Sequence, residues 1–284
     1  MEIEGVRLDA LFPGARPRPR RLYVRGTPPS DAAVKVAVVG SRTPSGSGEW
    51  MAYGMGRELA CAGVVVVSGL ARGIDAAAHR GAVDAGGVSV AVFGAGFDHV
   101  VPVHNRGLAR RMLKRGAWFS EYPPGAPPRP YRFVERNRLI ATYTCGTVVV
   151  EAGEKSGALI TAGLAADANR ELWAVPGDPR RPVSRGTNRL LRDGAGVVLD
   201  AADVLAALGL VGAAGVGTGD PPPGLDGTEQ KIWRCLVAHG PANLERMARG
   251  TGVPVARLLE AVSLLELSGH VRREPEGYVV VTAR

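Results

Sequence analysis

Aromatic residues make up only 5% of the 284-residue chain, and cysteine occurs three times. Cys61, Cys145 and Cys235 are odd in number and show no CxxC spacing. Such a set excludes a disulfide framework and a thiolate metal site, and suits a reduced cytoplasm. Long apolar runs are lacking too: the longest weakly polar stretch, 204–217, is short and rich in Gly and Ala, so no bilayer-spanning helix is expected. The first thirty residues carry a basic, proline-rich stretch over 16–25 instead of the apolar core of a signal peptide. Lysine is scarce, with four of the 35 basic side chains; the other 31 are Arg. Against 27 acidic residues this leaves a formal net charge of +8. Arg grips phosphate with a planar fork, so the balance points to an anionic partner. A GC-rich genome raises Arg content as well, so the anion has to be sought in the motifs.

Short apolar runs stand at 34–40, 64–69, 88–94, 117–121, 147–152, 171–177 and 197–200. Each is nearly continuous, as a strand buried on both faces requires. Helix-length stretches alternate with them at 48–61, 74–85, 105–114, 157–169, 186–191 and 203–208. The alternation predicts an α/β fold with a doubly wound, mostly parallel sheet. Residues 211–227 hold six glycines and three successive prolines, the composition of a linker. Beyond it, Thr228 is placed to cap a helix carrying Ile232, Leu236 and Val237 on one face. Leu244 and Met247 mark a second helix. Pro254 opens a third, with Leu258, Leu259, Val262 and Leu265 at helical spacing and Gly269 closing it,. Val271 and 278–281 then read as a hairpin around EPEG. The expected division is a lead-in over 1–33, a Rossmann-like domain over 34–210, the linker over 211–227 and a winged helix over 228–284.

The first strand runs into Gly40, Ser41 and Arg42 and then a Ser/Gly-rich turn before a helix. Such a turn offers unpaired backbone N–H groups to an anion. It is neither GxGxxG nor a P-loop, so no dinucleotide or triphosphate is indicated. The arrangement recurs at Ser68, Gly69 and Arg72, at 93–98, and at Lys155, Ser156 and Gly157. In a doubly wound sheet these turns gather at the carboxyl edge, beside the switch point where ligands bind. Arg136, Asn137 and Arg138 add two guanidiniums at i and i+2, which a helix points to different sides. One is expected at the ligand and the other on a carboxylate such as Glu151, with paired structural arginines as the alternative. Catalytic signals are thin: Ser68 is not in a GxSxG elbow, and His99 and His104 lack a third metal ligand. Asp75 and Asp98 suit helix caps, His79 suits the end of a helix or a place beneath the groove, and Glu151 is the one carboxylate placed for chemistry.

The blocks VAVVGSR (36–42), VVSGLARGIDAAAH (66–79), AVFGAGFDHVVPVHN (91–105), SEYPPG (120–125), FVERNRLIA (133–141), VVVEAGEKSGALITAG (148–163) and VPGDPRRPVSRGTNRLLRDGA (175–195) together resemble the DNA-processing protein A family, DprA/Smf. The resemblance covers over half the chain. It implies an extended Rossmann-like domain that binds single-stranded DNA, loads RecA onto incoming strands during natural transformation, forms a homodimer, and needs neither catalysis nor a cofactor. It places the DNA pocket at Gly40–Arg42, Ser68–Gly69 with Arg72, Arg136–Arg138, and Lys155–Gly157. Departures from the family pattern are Val134 for proline, Val101 for tyrosine, and Thr142-Tyr143 for a glycine-containing continuation. RLYVRG (21–26) resembles the family's lead-in strand, and the helical module that precedes it in many members is expected to be missing.

A single-strand binder needs a cationic track and stacking faces; the candidates for stacking are Phe97, Tyr122, Tyr131, Phe133 and Tyr143. Over 221–284, eight basic side chains meet seven acidic ones, and Arg257 is the single basic residue near the start of the third helix. Base-reading helices carry several, so protein contact is the expected role of the winged helix. Two other readings compete. One is a Rossmann-like nucleoside-monophosphate phosphoribohydrolase, whose PGGxGTxxE motif is matched poorly by Thr144–Thr147 and Glu151. The other is a winged-helix transcription regulator.

Overall fold

Runs of Val and Ala with no polar interruption dictate buried central strands, and these form a sheet in the computed structural model. It describes residues 2–4, 6–210, 221, 224–239, 242–274 and 277–280. The chain folds as two units, residues 1–215 and 216–284.

Nine strands build the sheet of the first unit: β1 (Glu2–Glu4), β2 (Arg21–Gly26), β3 (Lys35–Val39), β4 (Val65–Ser68), β5 (Ser89–Phe93), β6 (Ala117–Ser120), β7 (Gly146–Val149), β8 (Glu171–Ala174) and β9 (Gly196–Val197). Their order is β1-β2-β6-β5-β4-β3-β7-β8-β9. β3 to β9 pair in parallel, while β1–β2 and β2–β6 are antiparallel. The chain therefore winds from β3 outward to β6, then returns to start β7 on the other side of β3. That reversal is the switch point of a doubly wound sheet. The expected lead-in packs into this unit: its RLYVRG segment is β2, in register with β6 from Tyr23–Ser120 to Gly26–Ala117.

The crossover helices are α2 (Gly46–Cys61), α3 (Ile74–Asp84), α4 (Arg106–Met112), α5 (Pro130–Tyr143), α6 (Gly157–Asp167), α7 (Arg185–Arg192) and α8 (Ala201–Ala207), preceded by the short α1 (Val6–Leu11). Alternate strand residues face opposite layers. Val36, Val38, Val66 and Val148 pack on α2, α3 and α8. Ala37, Val39, Val67 and Val92 pack with Leu139 and Ile140 of α5 and Ala158 and Ala162 of α6. α5 is the long helix absent from the sequence reading. It opens with Pro130 in its first turn, a favoured start, but the prolines upstream masked that signal.

The second unit holds α9 (Gly227–His239), α10 (Leu244–Thr251), α11 (Val255–Leu267) and the antiparallel pair β10 (Val271–Glu274) and β11 (Gly277–Val280). This is the winged-helix arrangement. Ile232, Leu236, Met247, Leu258, Val262 and Leu265 form its core. Asp226, not Thr228, caps α9: its Oδ1 accepts from the Thr228 and Glu229 N–H groups, each at 2.7 Å. Glu229 reaches back to the Asp226 N–H at 2.8 Å, which completes a capping box. Leu259 is 47% exposed, so the apolar stripe of α11 is narrower than its spacing predicts. Most of the expected linker, the hairpin tip at 275–276 and Val281 lie outside the described residues. Among the described residues, no helix is long and apolar enough to cross a membrane.

Candidate nucleic-acid interface

The carboxyl ends of β3, β4 and β7 frame a cleft of about 560 Å³ at the switch point. Eight of the twelve expected residues line it: Gly40, Ser41, Arg42, Arg136, Asn137, Lys155, Ser156 and Gly157. Ser68, Gly69, Arg72 and Arg138 do not. Thr43, Thr161, Pro182 and Val183 also line the cleft and were missed. Pro182 and Val183 belong to a 3-10 turn inside the quoted block at 175–195, and that block's sequence gives no sign of which way it folds back.

The four strand-to-helix turns are not equivalent. At the first, Ser45 caps α2 by accepting from the Gly48 N–H at 3.1 Å. The Glu151 carboxylate, rising from the end of β7, accepts from the Ser45 N–H at 2.9 Å and the Ser45 hydroxyl at 2.5 Å. A Cβ at Gly48 would collide with that carboxylate. An anion supplied by the chain itself thus fills the positive end of α2. At the second, Asp75 is buried and takes the Gly69 and Ala71 N–H groups at 3.1 and 3.3 Å. It closes its turn instead of capping α3, whose cap residue Gly73 makes no side-chain bond. Leu70 stands there at φ 56°, a conformation that costs a non-glycine residue energy; Asn105 holds it by donating to Leu70 O at 2.9 Å and Ala71 O at 3.3 Å. At the third, Gly96 and Asp98 donate to the carbonyls of Ala126 and Pro124.

The fourth turn is open. Ser156 caps α6, Lys155 is exposed beside it, and open space surrounds the Cα of Gly157. Asn137 of α5 approaches the Gly157 carbonyl at 3.5 Å. Across the cleft, Arg42 is exposed on the first turn, while its carbonyl accepts from Arg72 Nε at 3.0 Å. Among the described residues the Arg42 guanidinium and the Lys155 ammonium make no hydrogen bond or ion pair. Two cations with no partner among the described residues therefore stand by the start of α6, whose first turn holds no acidic residue, the elements of an anion site,.

The two arginines of the RNR block divide as i and i+2 positions on a helix should. Arg136 is 4% exposed and lies against the second turn, donating from Nη1 to Gly69 O at 2.9 Å and to Val92 O. A Cβ at Gly69 would collide with its guanidinium. Burial pulls Arg136 down to about 10 and pushes the Asp75 carboxyl up, each opposed by the charge of the other. Arg138 points to the far side, where it forks onto Glu121 with two bonds of 2.6 Å and donates to Pro17 O at 2.7 Å. The carboxylate it meets is Glu121, not Glu151. Ser68 is fully buried and donates to Val38 O at 2.7 Å, beneath the cleft floor. His79 is buried as well, with Nδ1 2.7 Å from Ser89 Oγ. Of the five candidate stacking rings, Phe97 and Tyr143 are buried, Phe133 and Tyr122 half-buried, and Tyr131 is 52% exposed. Among the described residues no group of three His, Cys, Asp or Glu side chains is placed to hold a metal.

Residues 9–209 match the family DNA recombination-mediator protein A, and residues 217–277 match the DprA winged helix domain. The chain belongs to the DNA recombination-mediator protein A family. A putative DNA processing protein DprA of Mycobacterium tuberculosis is 40% identical over 238 residues, covering 82% of this chain and 61% of the relative. The chain thus spans about three fifths of that relative's length. Protein Smf of Escherichia coli is 35% identical over 94% of this chain and 72% of its own. The crystal structure of DNA processing protein A from Streptococcus pneumoniae superposes with a TM-score of 0.67 at 35% identity, covering 72% of this chain and 73% of that one. A Helicobacter pylori family member, solved to explain its single-stranded DNA binding mode, gives 0.66 at 27% identity, covering 73% and 94%.

Proposed function

We propose that the cleft holds the phosphates of single-stranded DNA without reading base sequence, and that the protein acts as a recombination mediator in the reduced cytoplasm. On this reading it protects incoming strands and loads RecA onto them during natural transformation, as a homodimer and without catalysis or cofactor. The observation that carries the reading is the pair of exposed cations, Arg42 and Lys155, unpartnered among the described residues, beside the start of α6 with no acidic residue in its first turn. Phosphates and base faces carry no sequence code, so such a site tolerates any strand. Membership of the family, and the single-stranded DNA bound by the H. pylori relative, support the choice of ligand.

The alternatives fit less well. A phosphoribohydrolase needs a free carboxylate, whereas Glu151 is 9% exposed and engaged by Ser45. A duplex-reading regulator needs cations at the start of α11, yet Arg257 pairs with Glu260 at 3.2 Å; protein contact remains our reading of the winged helix. The test is a salt series with single-stranded oligonucleotides. Arg42→Ala is expected to weaken binding equally for all sequences and to reduce the log–log salt slope by about 0.7, one phosphate contact. Normal binding by that variant at every salt concentration overturns the assignment of the cleft.

A further inference from the structure

The cleft lies at one end of a second cationic feature that its own residues do not explain. Between Asp98 and Glu121 the sequence has no acidic residue but five basic ones, Arg106, Arg110, Arg111, Lys114 and Arg115. α4 and the turn that closes it divide these five into two sets. Arg111 pairs with Asp84, and Arg115 Nη1 donates to Gly86 O at 2.6 Å; both serve the packing of α4 on α3. Arg106 and Arg110, one helical turn apart, and Lys114 beyond them are exposed, and their side chains make no hydrogen bond or ion pair among the described residues. Asp84, the carboxylate beside α4, is already shared by Arg111 and the Tyr53 hydroxyl. Arg106 is the first residue of α4, and no acidic residue stands in that turn. The helix dipole disfavours a cation there, so local stability does not account for it.

The position of α4 links this set to the cleft. Asn105, immediately before Arg106, is buried and donates to the carbonyls of Leu70 and Ala71; Ala71 lines the cleft. Arg72, the next residue, is exposed and bonded to the Arg42 carbonyl. From Arg106 to Arg110 the rise is roughly 6 Å, and Lys114 stands two residues past the end of α4. Arg25 flanks the same face from β2, opposite Trp118 in register, with its guanidinium 5.4 Å from the Phe97 ring centre and 5.5 Å from that of Trp118.

We propose that a single strand held in the cleft continues past Arg72 onto α4 and the turn that closes it, where Arg106, Arg110 and Lys114 take its phosphates. The proposal rests on the reading of the cleft as a single-strand site and extends its footprint by about three phosphates. The occupant is argued from charge complementarity and from continuity with the cleft through Asn105.

The test uses the full chain with the triple substitution Arg106→Gln, Arg110→Gln and Lys114→Gln, beside Arg42→Ala. Each protein is titrated across a salt series with an oligonucleotide of about 16 nucleotides and one of about six, spanning the site sizes of single-strand grooves. For the long strand the triple variant is expected to lower the salt slope by about 2, three phosphates at roughly 0.7 each. For the short strand, which the cleft alone accommodates, affinity and slope stay at wild-type values. An unchanged slope with the long strand overturns the proposal, while a normal response to Arg42→Ala keeps the cleft reading. Equal losses for both lengths overturn it too, since they mark a general field and not a continued path. Loss of duplex binding with single-strand binding intact assigns α4 to duplex DNA and also overturns it. If Arg42→Ala has no effect at either length, the cleft reading fails on its own account.

Discussion

The carboxylate of Glu151 and the hydroxyl of Ser45 lie 2.5 Å apart, joining the end of β7 to the N-terminus of α2 across the switch point. A charge-assisted bond of this kind is about twice as strong as a neutral one, and the Ser45 N–H adds a second at 2.9 Å. The acid sits where a phosphate would sit in many doubly wound proteins. It shapes the first turn and leaves the space between Arg42 and α6 as the place for an external anion.

Glu151→Gln is therefore expected to destabilise the fold by about 1–2 kcal/mol, through the loss of charge-assisted bonds at a buried site. Its effect on the salt slope of oligonucleotide binding is expected to be nil. Thermal or denaturant unfolding checks the first expectation and the salt series the second. Release of free base from a nucleoside monophosphate, abolished by this substitution, would instead establish the hydrolase reading.

Arg138 and Arg42 should separate stability from binding. The Arg138–Glu121 pair is largely buried, with side-chain exposures of 7% and 16%. Removing one partner of such a pair costs about 3–5 kcal/mol, because the other is left uncompensated. Arg138→Met should lower the unfolding midpoint strongly while the protein that remains folded binds strands with an unchanged slope. Arg42→Ala should do the reverse. A slope change in Arg138→Met equal to that of Arg42→Ala would put Arg138 in the DNA path after all.

The contrast between these arginines marks where the sequence stops being informative. The central strands β3, β4, β5 and β7 are announced by Val-rich runs, because burial on both faces leaves little room for polar residues,. By contrast, β6 (AWFS) and β8 (ELWA) carry no β-branched residue, and β9 is exposed. The gathering of Gly40–Arg42 with Lys155–Gly157 follows from topology alone. Both arginines are buried, and which of Arg136 and Arg138 faces the cleft depends on the azimuth of α5, set by packing against α6 and β5. Glu151 and Asp75 were equally opaque: both close loops that composition describes only as glycine-rich. The cations of α4 were visible as letters, but their division into paired and unpaired sets required the positions of Asp84 and Gly86.

Acid sensitivity should carry the signature of His79. An imidazole in the unfolded chain titrates near 6.5, whereas burial, aided by the charge of Arg136, holds His79 down to about 3. Between those values the unfolded chain binds a proton that the native state refuses. Stability therefore falls as pH drops from about 6.5 towards 3, by up to about 1.4 kcal/mol per unit for this one group. Asp75 acts in the opposite sense, since burial raises its carboxyl above the unfolded value, and a raised carboxyl contributes stability that grows as pH falls. Denaturant midpoints measured between pH 4 and 6 should show a slope shallower by about one proton in His79→Asn. Parallel slopes in the two proteins would exclude His79 as the acid-sensitive group.

The homodimer proposed above is best sought at the β9 edge of the sheet. β9 is the last strand in the order, and Val197 and Leu199 stand 60% exposed on and just beyond it. An edge strand with exposed apolar side chains is prone to pair with another chain. A two-fold axis beside β9 would bring the same patch of each copy together, as closed dimers require. Val197→Lys combined with Leu199→Asp should convert the dimer to a monomer in sedimentation velocity, with the circular dichroism spectrum unchanged. A monomer that retains cleft binding to short strands but loses affinity for long ones would mean that one strand spans both copies. Persistence of the dimer in the double variant would move the interface away from β9.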